Sequence, residues 1–242
     1  MKILAIGNSF SDDATRYLHG TARAQGVDIE VVNLYIGGCA LESHYKNLIG
    51  DKKDYVLCRN GADTGFYVSI REALSSGEWD VITLQQVSHL SFDIDSYYPY
   101  ISELVRYIRE CQPKAKLILH QTWGYENGSD RLLNMTKYAT MAQMTIDIEK
   151  TYAAVAVAEG LDGIIPSGTM LYRLTQNGID RVHFDTFHAD RGIGRYALSL
   201  LWLRMLTGKS IADNSFRDFD VAVSDEEIEI SKKCIDEFIP FV

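Results

Sequence analysis

The sequence predicts an α/β fold: a parallel sheet covered on both faces by helices. Short apolar runs end in glycine or in polar residues. The first is Ile3-Leu4-Ala5-Ile6 before Gly7. Such runs are too short for helices and lack the alternation of a strand with one wet face, so they read as buried parallel strands. They alternate along the chain with stretches of helical periodicity, and no linker, repeat or low-complexity tract intervenes. Right-handed crossovers between successive strands then place helices on both faces. Residues 1–242 are therefore read as a single domain.

Each element follows in order. After the first strand, Ala14, Leu18 and Ala22 are spaced by four, which predicts a helix from Asp12 to Gln25, stopped by Gly26. Asp28 to Leu34 reads as a second strand, followed by Gly37-Gly38 and a helix from Ala40 towards Ile49. Residues 51–69 break this rhythm. Two β-prone runs, Tyr55-Val56-Leu57 and Phe66-Tyr67-Val68, flank Asn60-Gly61 and predict a hairpin excursion that shapes a pocket mouth. Ile70–Ser75 is a short helix and Asp80–Leu84 a third strand running into Gln85-Gln86. Ile101, Leu104, Val105 and Ile108 mark an amphipathic helix over 97–111. A fourth strand, Lys116–His120, precedes a long helix or a bent pair over 131–159. A fifth strand follows at 162–166, then a helix at 167–176. The stretch 189–206 is apolar on most faces and should be buried; Ile228, Ile235 and Phe238 mark a final helix.

Composition narrows the function. The net charge of −9 disfavours nucleic acid and anionic membrane as partners. No apolar run approaches the length of a membrane span, and the first ends at Gly7, too early for a signal peptide. A cytoplasmic location is the expectation, short of an export signal trimmed away. Cys39, Cys58, Cys111 and Cys234 are scattered, with no Cys-x-x-Cys pair, and no His-x-x-x-His occurs. A zinc site is therefore not expected.

Two stretches carry candidate chemistry. Ser9 stands where the first strand hands over to a helix, at the carboxyl end of the sheet where open α/β folds bind ligands. It reads either as a helix cap, with Asp12 completing a capping box, or as a nucleophile. A phosphate loop is disfavoured by the single glycine and by Asp12 and Asp13. Asp185-Thr186-Phe187-His188 precedes the apolar 189–206 stretch. Its spacing lets one loop present both groups, with Asp185 accepting from Nδ1–H and Nε2 left free as a base. A capping Asp185 with a surface His188 is the plainer alternative. His19 and His44 are expected to be exposed, His89 and His120 could line the pocket, and His183 is a weaker base candidate.

Taken together, Gly7-Asn8-Ser9-Phe10-Ser11, a glycine after strand two, an amide after strand three and Asp185-x-x-His188 resemble the blocks of the SGNH (GDSL-type) hydrolases, in order, from Ile3 to about Gly208. The resemblance implies a flavodoxin-like three-layer α/β/α sandwich with five parallel strands in the order 2-1-3-4-5. It implies Ser9 as nucleophile with Asp185 and His188, and oxyanion donors on Ser9 N–H, Gly38 N–H (Gly37 in second place) and a glutamine amide. Side chains alternate along a strand, so Gln86, one step further into the loop, is favoured over Gln85. Two blocks depart from the family: Asn8 stands where aspartate is usual, and Gln85-Gln86 where Gly-x-Asn-Asp is usual.

The resemblance thus implies a serine esterase, cofactor-free, acting on a short acyl and most simply an acetyl ester. A carbohydrate ester is the first choice, with Trp123, Tyr125 and Tyr67 as aromatic binding residues. The alternatives are a non-catalytic small-ligand module and an acyltransferase using the same triad.

Overall fold

The computed structural model describes residues 1–238. The chain runs β1 (Lys2–Gly7), α1 (Ser9–Thr15), α2 (Leu18–Ala24), β2 (Glu30–Tyr35), α3 (Leu41–Ile49), β3 (Tyr55–Arg59), β4 (Ala62–Val68), α4 (Ile70–Ser75) and β5 (Val81–Leu84). It continues with α5 (Tyr100–Cys111), β6 (Lys116–His120), α6 (Asp130–Met135), α7 (Met141–Ala158), β7 (Gly163–Ile165), α8 (Ser167–Thr175), α9 (Ile193–Thr207) and α10 (Asp225–Asp236). Among these residues no helix is long and apolar enough to cross a membrane.

The sheet has seven strands in the order β4-β3-β2-β1-β5-β6-β7. The five parallel strands keep the expected 2-1-3-4-5 arrangement. The two extra strands come from residues 51–69. They do form a hairpin, but it pairs antiparallel onto β2 and lengthens the sheet. The reason is local. The edge of β2 offers unpaired backbone groups, and β3 satisfies them. Asn60 turns the hairpin at φ 52° and its side chain accepts from Val31 N–H, pinning the hairpin to β2.

Helices cover both faces. On one, α9 packs on α1, α2, α8 and α10; on the other, α3, α4 and α5 pack together. Leu198, Leu200, Leu201, Trp202 and Leu203 of α9 are all buried, as its apolar faces require. The 131–159 stretch is the bent pair, α6 and α7. The 12–25 stretch also breaks in two, and its first helix starts earlier, at Ser9.

Strand register positions the site. Ile6 lies beside Leu34 of β2 and beside Leu84 of β5. The three loops that follow, carrying Asn8-Ser9, Gly37-Gly38 and Gln85-Gln86, therefore leave the sheet at one level. This is the switch point, where the chain's crossovers reverse direction and where open α/β sheets bind ligands.

Candidate active site

Ser9 is the first residue of α1, and Asn8 is its cap: the Asn8 side-chain oxygen accepts from Phe10 N–H at 3.0 Å. The capping reading of Ser9 is thereby corrected. Asn8 takes that role and leaves the Ser9 hydroxyl free. Ser9 Oγ lies 2.9 Å from His188 Nε2, across 179 residues of sequence. His188 Nδ1 lies 2.7 Å from Asp185 Oδ2, and the His188 N–H donates to Asp185 Oδ1 at 2.9 Å. Burial raises the Asp185 pKa, but the hydrogen bonds from His188 outweigh it and hold the carboxyl below its usual value. An ionised Asp185 keeps the proton on Nδ1 and leaves Nε2 as acceptor toward Ser9. His188 and Asp185 side chains remain 22% and 34% exposed, so water reaches both.

The loop holding them is strained. Thr186, a β-branched residue, sits at φ 79°, in the left-handed region that such residues avoid. Its carbonyl accepts from Glu126 N–H, and the Phe187 carbonyl accepts from Trp123 Nε1 at 2.7 Å. These contacts hold the turn from behind. A second clamp comes from α1. Asp13 Oδ2 accepts from Ala189 N–H at 3.0 Å, and Asp13 Oδ1 accepts from Arg195 Nε at 2.9 Å. Burial pushes the Asp13 carboxyl up to about 6 against the pull of Arg195. One side chain thus ties the helix that begins at Ser9 to the residue after His188. Arg195 and Arg16 then share Asp220 at the surface.

The glutamines are corrected. Gln86 was favoured as the oxyanion donor, but its amide is spent: Nε2 donates to Ser96 O (2.9 Å) and Ser96 Oγ (3.1 Å), and Oε1 accepts from Leu41 and Val87 N–H. It fastens α3 and the 94–97 turn to the end of β5. Gln85 is the residue aimed at the site. Its Nε2 donates to Asn8 Oδ1 at 2.6 Å, and its Oε1 faces His120 Nδ1 at 2.8 Å. Asn8 Nδ2 in turn donates to Cys39 O, stapling the Gly37-Gly38 loop beside Ser9. Asparagine can do this where aspartate could not, because only the amide has a donor to give. Gly7 must lack a side chain here: a Cβ would lie 2.8 Å from Gln85 Oε1 and 2.5 Å from Ser11 Oγ. Gly38 adopts φ 64°. Among the described residues the N–H groups of Ser9 and Gly38 have no acceptor.

Other expectations shift as well. Trp123 and Tyr125 are fully buried, so neither lines a rim. Trp123 stacks on Phe10 (4.0 Å), and the Tyr125 hydroxyl meets Ser88 Oγ at 2.8 Å. Both support the His188 loop from beneath. Tyr67 is exposed on β4 and lines a hollow with Lys2, Glu30 and Trp79. Lys2 and Glu30 begin their strands, so this hollow extends to the end of the sheet opposite Ser9. His44 is buried rather than exposed, against Tyr55 OH at 2.8 Å. His120 lies in the interior, and burial pushes its pKa down to about 3. His183 faces Gly124 O at 3.0 Å and is pushed down to about 4, again mainly by burial. Sequence reasoning noted Asn8 only as a departure and Asp13 only as a charge against phosphate, and it missed Arg195 entirely.

The three-layer sandwich with its mostly parallel sheet is similar to the SGNH and GDSL hydrolases. The chain belongs to the DUF4886 family, whose model, described as a domain of unknown function, matches residues 2–236. A DUF4886 family protein from Bacteroides uniformis is similar at 32% identity, with a TM-score of 0.89 over 98% of this chain and 93% of that one. A candidate SGNH hydrolase from Slackia heliotrinireducens aligns at 20% identity and TM-score 0.59, over 85% of this chain and 98% of its own. The psychrotrophic esterase EstA from a Pseudoalteromonas species aligns at 12% and 0.51, over 85% and 94%. A search of curated proteins finds no match.

Proposed function

We propose that this protein is a serine hydrolase that cleaves a short-chain, most simply an acetyl, ester through an acyl-enzyme on Ser9. The observation that carries the reading is the unbroken chain Ser9 Oγ, His188 Nε2, His188 Nδ1, Asp185 Oδ2, with links of 2.9 and 2.7 Å. A non-catalytic binding module would have no use for a hydroxyl placed against an imidazole whose far nitrogen is held by a carboxylate.

In this reading Ser9 Oγ attacks the ester carbonyl carbon and its proton passes to His188 Nε2. The carbonyl oxygen takes the negative charge and is met by the Ser9 and Gly38 N–H groups, neither of which has an acceptor among the described residues. The intermediate collapses, the carbon–oxygen bond to the alcohol breaks, and His188 returns its proton to the departing oxygen. Water, reaching the open side of His188, then repeats the attack and frees the acid. The partial exposure of His188 admits water to the acyl-enzyme, which favours hydrolysis over transfer. Gln85 acts behind the site by holding Asn8, which holds both the start of α1 and the Gly38 loop. A carbohydrate ester remains our first choice of substrate, on the family resemblance alone, and no metal takes part.

The deciding experiment is turnover of a chromogenic acetyl ester by the wild type, by Ser9→Ala and by the EDTA-treated wild type. Turnover lost in Ser9→Ala and kept after chelation supports the reading. Equal turnover in wild type and Ser9→Ala would end it.

A further inference from the structure

The surroundings of His188 contrast with the acidic chain as a whole. Its ring neighbours two phenylalanines, Phe187 (ring centroids 3.8 Å apart) and Phe184 (5.7 Å, nearly parallel). Each is capped by an arginine. The Arg131 guanidinium carbon stands 3.6 Å from the Phe187 centroid, and that of Arg191 stands 4.3 Å from the Phe184 centroid. In a chain of net charge −9, cations near a site would be expected to find carboxylates. Arg16 and Arg195 do, on Asp13 and Asp220. Among the described residues Arg131 and Arg191 pair with none. Two neighbouring carboxylates are committed: Asp185 to His188, and Asp190 to the N–H groups of Gly192 and Ile193.

A guanidinium lying on an aromatic ring is held in place while its N–H edge stays free for a planar anion. His89 adds no rival charge. Burial, and then the Arg131 charge, pushes its imidazole down, so it stays neutral.

We propose that Arg131 and Arg191 form an anion-recognising rim beside His188, so that the preferred ester carries a carboxylate or phosphate close to its scissile bond. This rests on the hydrolase reading and specifies its substrate class. The aromatic stack sets the distance: each arginine is one ring removed from the base, so the anion belongs to the substrate flank and not to the reacting carbonyl.

The test compares kcat/KM for three acetyl esters of similar phenols: para-acetoxybenzoate, para-acetoxyphenyl phosphate and the neutral para-acetoxybenzamide. A charge-assisted contact is worth about 1.5–3 kcal/mol, so wild type should favour at least one anionic ester by roughly tenfold or more. Which anion gains separates carboxylate from phosphate. In the double variant Arg131→Gln/Arg191→Gln the ratio of anionic to neutral should fall to near one. Arg131→Lys, which keeps the charge and loses the fork, should give an intermediate ratio. Equal kcat/KM for charged and neutral esters in wild type, or a preference that survives the double variant, overturns the anion rim and leaves the hydrolase standing. Turnover of none of the three overturns the hydrolase reading, and the rim falls with it.

Discussion

Asn8 and Ser9 are adjacent in sequence, and each begins a chain of hydrogen bonds that includes a histidine. From Ser9 the chain runs outward to His188 and Asp185. From Asn8 it runs inward, through Gln85 to His120. The outer histidine is partly open and has a carboxylate on its far nitrogen, ready to balance an incoming proton. The inner one is fully buried, its Nε2 has no partner among the described residues, and burial pushes its pKa down to about 3. A proton there would be an unpaired buried charge. In the proposed reading the same side chain is thus a base in one chain, and it is a fixed donor in the other. What separates them is solvent and a carboxylate, not residue type.

Removing one histidine at a time separates the two chains by the largest effect. Ser9→Ala and His188→Ala should each lower kcat by several powers of ten, up to about a millionfold, with circular dichroism unchanged. The double variant should be little worse than either single one, because the parts act as a unit. Multiplying losses would mean that the two residues do not share a mechanism. His120→Ala, by contrast, should act first on the unfolding midpoint.

Next in size is the glutamine pair. Gln85→Ala strips a partner from Asn8 and leaves the His120 Nδ1–H unmet; Gln86→Ala does the same to Leu41 N–H and Ser96. Each buried group left unmet costs about 1–3 kcal/mol. Both variants should therefore lose stability, read from urea midpoints. Only Gln85→Ala should also lower kcat, because only Gln85 holds the loops that carry the free N–H groups. A selective loss of kcat in Gln86→Ala would reinstate Gln86 as a donor to the oxyanion.

The glutamines also show where sequence reading stops. Ser9, Asp185 and His188 were legible because each block is local: a strand ending in glycine, and two residues three apart on one turn. The hairpin was legible for the same reason, though not its destination, since pairing with β2 depends on an edge that only the folded sheet presents. Which glutamine faces the site depends on the fate of the chain after Leu84. That is decided by Ser96 and Leu41, which claim Gln86, and by Asn8 and His120, which claim Gln85. Trp123 and Tyr125 looked like rim residues because their loop follows a strand, but distant partners, Phe10 and Ser88, draw them inside. The Asp13–Arg195 clamp spans 182 residues and has no local pattern at all.

A smaller effect is expected at Thr186. A β-branched residue in the left-handed region costs roughly 1–3 kcal/mol, and asparagine tolerates that region far better. Thr186→Asn should raise stability by about 1 kcal/mol, a shift of roughly 2–4 °C in Tm for a chain of this size. Destabilisation would show that the threonine side chain offsets its own backbone. The strain belongs to the outer chain only: among the positive-φ residues that are not glycine, none lies near Gln85 or His120 in sequence.

The two chains should also part in acid, because they are supported differently. The inner one is braced by neutral amides, whereas the outer one leans on Asp13, Arg195, Asp220 and Arg16. Hydrogen bonding from Arg16 is the largest influence on Asp220, whose carboxyl is held down at about 2. A carboxyl whose folded pKa lies below its unfolded value contributes stability that is present above about pH 4 and is lost as pH falls through about 2. Asp13 has the opposite sign: burial raises its pKa to about 6, so its own titration favours folding below about pH 4 and disfavours it as pH rises through about 6. The raw acid curve mixes the two, and a difference between variants separates them. Asp220→Asn should be slightly less stable than wild type at pH 7, and that gap in urea midpoint should close between about pH 4 and pH 2. A gap that stays constant over this range would mean that the Asp220 charge does not brace the His188 loop, and that the outer chain is held by shape, as the inner one is.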